Sequence, residues 1–161
     1  MRSGFLLFVV IALSHVAVSF CVNRIPYRNM ARLRPRIVPS QKECDFYKHV
    51  LHIGLWKDYI PCVGEFDKKT LKGDSVEYLS LFTLETIRAE LAHVFCLLST
   101  LLVLYLYRPR YSLIIPLFYF AINVPCLIIQ RYNRARLERI LNRLGSTLVI
   151  PAEPELTRKF V

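Results

Sequence analysis

Acidic residues are scarce in this sequence, and its cysteines are never paired at short spacing. The chain of 161 residues carries 12 Asp and Glu against 22 Lys and Arg, a formal net charge of +10. None of the five cysteines belongs to a CxxC pair and their number is odd, so buried or reduced thiols are the default interpretation rather than a disulfide framework. No zinc-finger or RNA-binding signature accompanies the positive charge, and we therefore expect no nucleic-acid partner.

Apolar residues, in contrast, are abundant. They make up 54% of the chain, and the mean hydropathy of +0.35 is above the usual range of soluble proteins. The basic residues cluster beside the apolar runs, a placement that fits anionic lipid headgroups. The composition therefore predicts an integral membrane protein with membrane lipids among its partners.

Three apolar runs are long enough to cross a membrane as helices, which takes about 20 residues. They cover residues 4–22, 84–107 and 111–129. The last two are separated only by Arg108-Pro109-Arg110, a tight turn, so we predict that they form an antiparallel hairpin. The predicted fold is an all-α integral membrane protein with about three transmembrane helices, one N-terminal and two in the hairpin, plus cytoplasmic interfacial amphipathic helices.

The first apolar run has two interpretations. Ala17-Val18-Ser19 resembles a small-x-small cleavage site, as in a secretory signal peptide. Secretory signals carry their charge before the apolar core, however, whereas five arginines follow this run between Arg24 and Arg36. This flank favours a retained transmembrane helix.

The basic residues also predict the orientation in the cell membrane. Loops rich in Lys and Arg stay on the cytoplasmic side. Arginines are concentrated after the first run and again between Arg131 and Arg143, after the third. We therefore expect a multi-pass protein with its N-terminus outside and its C-terminus in the cytoplasm, an arrangement that only the two arginines of the hairpin turn oppose.

The chain is predicted to have five parts. Residues 1–22 form the N-terminal transmembrane helix or signal anchor, 23–83 a cytoplasmic or interfacial segment, 84–130 the hairpin, 131–145 a basic amphipathic helix, and 146–161 a flexible tail.

Two amphipathic patterns underlie the interfacial helices. Apolar residues from Phe46 to Ile60 recur at three- and four-residue steps around Trp56, and Pro61 should end that helix. After the third span, leucines and isoleucine take one helix face and arginines the other, up to Gly145. Both patterns are typical of helices that lie at the membrane surface.

Polar side chains interrupt the second and third spans. Glu90 and His93 share a helix face in the second, and Asn123 lies at a similar depth in the third, two residues before Pro125. Because charged groups are costly in lipid, we expect these groups to face one another beneath the cytoplasmic surface. A plainer interpretation remains for each: Asn123 as a hydrogen bond between helices, and Glu90 with His93 as a satisfied pair without chemistry.

The pair His49-x-x-His52 is the one arrangement that suggests a metal. Two ligands on an interfacial helix are more simply surface residues, so we predict no metal site.

Four blocks of sequence between Arg24 and about Leu144 resemble the glycosyl-4,4'-diaponeurosporenoate acyltransferases, which complete staphyloxanthin-type carotenoids. The blocks are Arg24-Ile25-Pro26; Trp56-Lys57-Asp58 with Pro61, Phe66, Lys69 and Leu71; Glu85-Thr86 with Arg88-Ala89-Glu90-Leu91 and His93; and Asn123-Val124-Pro125 with Gln130-Arg131-Tyr132-Asn133-Arg134 and Arg136-Leu137. One departure is Ala135, where the family pattern has Pro, and it removes no chemical group.

The resemblance implies transfer of a fatty acyl group to a sugar hydroxyl of a membrane-bound glycosyl carotenoid or a similar glycolipid. The donor would be acyl-CoA or a similar compound, used as a co-substrate, and no bound cofactor is expected. The alternative function is a non-catalytic membrane subunit that binds lipid or serves as a scaffold in a lipid-modifying complex. Because three spans enclose little space, a homo-oligomer or a partner enzyme is a further expectation.

Placement, rather than the family, suggests the role of each candidate residue. We predict that His93 is the general base, that Glu90 orients its imidazole, and that Asn123 donates to the developing oxyanion. Arg131 and Arg134, at the exit of the third span, would hold donor phosphates, because their planar donors suit that group. The predicted substrate-binding residues are Arg88, Gln130, Arg131, Asn133 and Arg134, with Trp56 and Asp58 at the rim of the sugar site.

Overall fold

Three long helices dominate the structure, a computed structural model that describes residues 2–60, 75–107, 113–145 and 148–150. These are α1 (Arg2–Asn23), α5 (Val76–Tyr107) and α6 (Ile114–Arg143). Each is long and apolar enough to cross a membrane. Three short helices lie between α1 and α5: α2 (Tyr27–Ile37), α3 (Gln41–His49) and α4 (Ile53–Trp56). The described residues contain no strand.

The hairpin of α5 and α6 forms the centre of the fold. Tyr78, Leu79 and Phe82 of α5 pack against Leu137 and Leu141 of α6 in one buried cluster. The pairing confirms the predicted all-helical fold with three apolar spans. The turn itself, including Arg108-Pro109-Arg110, lies outside the described residues, as do Pro61 and the segment 151–161 of the predicted tail.

The helix α1 packs on the hairpin through one of its faces. Leu7 and Ile11 are fully buried against Tyr119 of α6. Phe5, Leu13 and other large apolar residues of α1 are exposed, as expected for the side of a span that faces lipid. Retention of this helix in the mature protein remains a prediction.

The second span begins earlier than its hydropathy suggested. We expected it at residue 84, but α5 starts at Val76, where the Ser75 hydroxyl accepts from the Tyr78 amide at 3.2 Å. A side-chain oxygen that satisfies a first-turn N–H stabilises a helix start. The additional turns are buried against the end of α6, so tertiary packing extends the helix.

The separate amphipathic helix predicted at residues 131–145 is instead the last part of α6. No break occurs near residue 131, and Pro125 also leaves the helix uninterrupted. The apolar face expected to contact lipid packs on α5, with Leu137 and Leu141 buried. On another face, Glu138 forms a salt bridge with Arg34 of α2. This segment therefore belongs to the protein core, because its apolar face packs on α5 and Glu138 pairs with α2.

The interfacial helix predicted from Phe46 to Ile60 is likewise not continuous. It ends as α3 at His49 and resumes as α4 at Ile53, because His52 adopts a left-handed backbone conformation with φ of 47°. A non-glycine residue at positive φ interrupts helical hydrogen bonding. Of the pair His49-x-x-His52, His49 therefore ends α3 and His52 lies between the two helices.

Candidate functional site

The structure brings His93 and Asn123 into contact across the hairpin. His93 Nδ1 lies 2.9 Å from Asn123 Oδ1. Asn123 is buried, and its Nδ2 donates to the Tyr119 carbonyl one turn earlier, at 2.8 Å. Two predicted site residues from different spans thus meet inside the protein.

These contacts define the hydrogen-bonding role of His93 Nδ1. Because Nδ2 of Asn123 donates to a carbonyl, the amide oxygen faces His93 and accepts from Nδ1–H. A neutral imidazole with its hydrogen on Nδ1 carries its basic lone pair on Nε2. In the neutral ring, the nitrogen that accepts a proton is therefore Nε2.

A histidine of α1 joins this site, and the sequence analysis missed it. His15 Nε2 lies 2.9 Å from Thr100 Oγ1, and its ring meets that of Tyr119 edge-on, with centroids 4.8 Å apart. The available signal was a lone histidine inside an otherwise apolar run. We name the group of His15, His93, Thr100, Tyr119 and Asn123 the three-helix polar cluster.

Glu90, which we expected beside His93, is held by two arginines of α6. Its Oε1 lies 2.5 Å from Arg131 Nη1, and its Oε2 forms an ion pair with Arg134. Arg134 is fully buried and also donates to the Ile37 carbonyl at 2.6 Å. The arginines cluster here because two carboxylates, those of Glu90 and Glu43, face them.

Glu43 binds the other side of Arg131. Its carboxylate accepts from Arg131 Nε at 2.5 Å and from Nη2 at 2.8 Å, which is the bidentate geometry of a strong ion pair. The hydrogen bond from Arg131 lowers the pKa of Glu43 to about 2. Burial, together with its hydrogen bond to Glu43, raises the pKa of the neighbouring Tyr47 to about 12. Arg131 thus bridges α3 and α5.

The chain is similar over much of its length to one family of enzymes. The family model described as glycosyl-4,4'-diaponeurosporenoate acyltransferase matches residues 26–143. The chain belongs to this acyltransferase family.

Relatives that carry the family name come from staphylococci. The protein of Staphylococcus haemolyticus (strain JCSC1435) is 32% identical over 104 residues, which cover 61% of this chain and 60% of the relative. That of Staphylococcus aureus (strain MRSA252) is 36% identical over 114 residues, covering 65% of this chain and 68% of the relative. The chain thus spans less than two thirds of the first relative. No solved structure matches.

The part that matches the acyltransferase family contains most of the site. His93, Asn123, Glu90 and Arg131 all lie within residues 26–143, whereas His15 precedes them. The polar cluster therefore combines family positions with a residue outside the match.

Arg88, predicted to bind substrate, is engaged within the protein. It forms a salt bridge with Glu85 at 2.6 Å and donates to the Ile25 carbonyl at 3.0 Å. Its guanidinium also lies over the Tyr27 ring, 4.3 Å from the centroid. These contacts link the segment after α1 to the hairpin of α5 and α6.

The remaining predicted residues lie around this scaffold. Trp56 donates to the Leu51 carbonyl at 2.8 Å, and Asp58 pairs with Lys57 at 2.5 Å. Gln130 is half-buried and Asn133 is buried on α6. The described residues contain no group of three or more His, Cys, Asp or Glu that could hold a metal ion.

An apolar cleft of about 510 Å³ lies between α1 and α5, with Val18, Val22, Phe95 and Leu98 in its walls. At 100° per residue, Phe95 and Leu98 point to the side of α5 opposite His93. The cleft therefore lies on the side of α5 away from His93.

Proposed function

We propose that this protein esterifies a sugar hydroxyl of a glycosylated carotenoid, or of a similar glycolipid, with a fatty acyl group. The observation that carries the proposal is the contact of His93 Nδ1 with Asn123 Oδ1 at 2.9 Å, in a member of an acyltransferase family. The name of the relatives supplies the acceptor class, and the site supplies groups suited to the reaction.

The proposed reaction begins with proton removal by His93. Nε2 takes the proton of the acceptor hydroxyl while the hydroxyl oxygen bonds to the acyl carbon of the donor. The bond from that carbon to the leaving group then breaks, and the imidazolium returns the proton to the leaving group. In a reaction with acyl-CoA the products are the ester and the free thiol, so atoms and charge balance.

Asn123 has two proposed tasks. Its oxygen holds the His93 ring, and its Nδ2 carries two hydrogens, one of which is donated to the Tyr119 carbonyl. The second is proposed to donate to the oxyanion that develops on the acyl group. In this arrangement Asn123, rather than Glu90, orients the imidazole.

The donor would bind at the arginine-rich end of α6. Of the two arginines predicted to hold its phosphates, Arg131 is partly exposed, at 24% of its side chain, and Arg134 is fully buried. Glu90 and Arg134 are proposed to position Arg131, which then contacts the donor phosphates. We place this end and the C-terminus in the cytoplasm, where acyl-CoA is available.

A non-catalytic scaffold subunit is the second candidate. It is favoured by the fact that the carboxylates of Glu43 and Glu90 are already satisfied by the arginines of α6. A scaffold would use the same network to hold its helices together.

Lipid mass spectrometry on membranes tests the proposal. Cells supplied with a glycosylated carotenoid express the wild type, His93→Gln or the control His49→Gln, whose histidine is exposed on α3. We expect a product with the added mass of one acyl chain in the wild type and the control, and its loss in His93→Gln at equal protein level. Product from His93→Gln at the wild-type rate would contradict the proposed mechanism, and no product from the wild type would favour the scaffold.

A further inference from the structure

The helix α1 contributes a histidine to the interior of the spans. His15 stands eight residues before the end of α1 and is half-buried between α5 and α6. Ionisable residues inside membrane spans are rare and costly, and they commonly mark sites of function. His15 precedes the part of the chain that matches the family.

The hydrogen bonds around His15 define its tautomer. The Thr100 hydroxyl donates its own hydrogen to the Cys96 carbonyl at 2.9 Å, so its oxygen accepts from Nε2–H of His15. A neutral imidazole protonated at Nε2 keeps its lone pair on Nδ1. His15 therefore presents a hydrogen-bond acceptor inside the membrane region.

His15 of α1 and His93 of α5 contact α6 at positions one helical turn apart. Tyr119 meets the ring of His15, and Asn123, one turn later, holds His93. The levels of the two rings differ by about 6 Å along α6, from Tyr119 to Asn123, and by about 10 Å along α5, from His93 to Thr100. A molecule with several hydroxyl groups can span this separation, whereas a single hydroxyl can engage only one of the two imidazoles.

Helix packing alone does not account for His15. Ser14 and Ser99, with their hydroxyl oxygens 3.4 Å apart, already link α1 to α5. The Tyr119 hydroxyl donates to the Phe8 carbonyl at 3.1 Å and links α1 to α6. The hydrogen bond of His15 to α5 uses Nε2, so Nδ1 is the ring atom that carries the acceptor lone pair.

We propose that His15 is an acceptor-binding residue, whose Nδ1 accepts a hydrogen bond from a second hydroxyl of the sugar that is acylated at His93. The inference rests on the proposed function and extends it to a preference for polyhydroxylated acceptors. No bond forms or breaks at His15, and the proton released in the reaction passes through His93 alone. The acceptor site is thereby built from three helices instead of the hairpin.

Steady-state kinetics on membranes test this role, with a fatty acyl-CoA as donor and glycosyl-4,4'-diaponeurosporenoate as acceptor. For His15→Phe we expect the KM for the acceptor to rise about tenfold, the effect of one lost hydrogen bond, at nearly unchanged kcat. His15→Gln keeps an acceptor oxygen, so its KM for the acceptor should stay within about threefold of the wild-type value. A threefold change corresponds to less than half the free-energy change expected for the Phe variant. Ser14→Ala, at the adjacent position, is the matched control and should behave as the wild type.

Several outcomes overturn the inference. An unchanged acceptor KM in His15→Phe, a loss of kcat at unchanged KM, or equal defects in the Phe and Gln variants would each assign His15 to packing. If His15→Phe does not accumulate, His15→Ala takes its place with the same expectation. If the wild type forms no product, both the proposed function and this inference are contradicted. If the wild type forms product and His15→Phe has an unchanged KM for the acceptor, this inference alone is overturned.

Discussion

Glu90 of α5 and Arg134 of α6 form an ion pair inside the protein, and the Arg134 side chain has no exposed surface. Removing one member of a buried pair leaves a charge without its partner in a poor solvent for ions. Such changes typically cost about 3–5 kcal/mol, far more than an exposed pair contributes.

We therefore predict that Glu90→Gln destabilises the fold by about 3 kcal/mol or more. The measurement is the thermal unfolding midpoint of the purified protein in detergent. Asp58→Asn is the control, since that carboxylate is 43% exposed and its pair with Lys57 is worth at most about 1 kcal/mol. Equal unfolding midpoints for the two variants would show that the ion pair of Glu90 contributes no more to stability than the exposed pair of Asp58.

A double variant distinguishes a structural from a chemical need for Glu90. Replacing both members of a buried pair by apolar residues of similar size is often neutral or stabilising. Glu90→Leu with Arg134→Met should therefore recover most of the unfolding midpoint. Product formation in this stable variant would show that the reaction needs neither Glu90 nor Arg134, whereas a stable but inactive protein would support their proposed role in positioning Arg131.

Asn123 offers a separate test of the proposed reaction. Asn123→Asp keeps an oxygen beside His93 but removes the donor proposed for the oxyanion. Loss of one such donor lowers kcat about 10²–10³-fold in other acyl-transfer enzymes. We expect a fall in kcat of this size at similar protein level, measured by product formation under saturating substrates. A variant with wild-type kcat would exclude Asn123 as an oxyanion donor.

The three spans and the hairpin could be predicted because their signal is local. A run of about 20 apolar residues predicts a span, and three residues with two arginines between two such runs predict a turn. The meeting of His93 with Asn123 also follows from local reasoning, since both lie at similar depths on adjacent spans. These features depend on residue order and helical rise alone.

The ion-pair network could not be predicted, because its members are distant in sequence. Arg34 finds Glu138, 104 residues away, and Arg131 finds Glu43, 88 residues away. With many arginines on both flanks, the sequence offers many pairings of similar quality. For the same reason the basic end of α6 resembled a lipid-facing helix, although Leu137 and Leu141 pack against the start of α5.

The ion pair of Glu43 with Arg131 predicts a dependence of stability on pH. The pKa of Glu43 is lowered to about 2 from a usual value of 4.5, so the charged form is favoured in the folded state. Its contribution to the free energy of unfolding is fully present above about pH 4.5 and is lost as the pH falls towards 2. Glu43→Gln should therefore unfold at a lower temperature than the wild type at pH 7, with a smaller difference at pH 3.

The control for this experiment lies on the same helix. Asp45 is exposed and accepts a hydrogen bond from Gln41 at 2.9 Å within α3. Asp45→Asn should show a small difference from the wild type at both pH values. A Glu43→Gln difference that does not change between pH 7 and pH 3 would rule out the proposed contribution of this ion pair.

The orientation in the membrane can be tested on the two ends of α6. Leu113 directly precedes the helix and Arg136 lies near its other end, both exposed. Their 23-residue separation corresponds to about 34 Å of helix, more than the roughly 30 Å hydrocarbon core. In a background with all native cysteines replaced, we expect a membrane-impermeant maleimide to label Leu113→Cys in intact cells. Arg136→Cys should be labelled only after the membrane is permeabilised, because its arginine-rich end is placed in the cytoplasm. The opposite pattern would put the proposed phosphate-binding arginine on the outer side, where acyl-CoA cannot reach it.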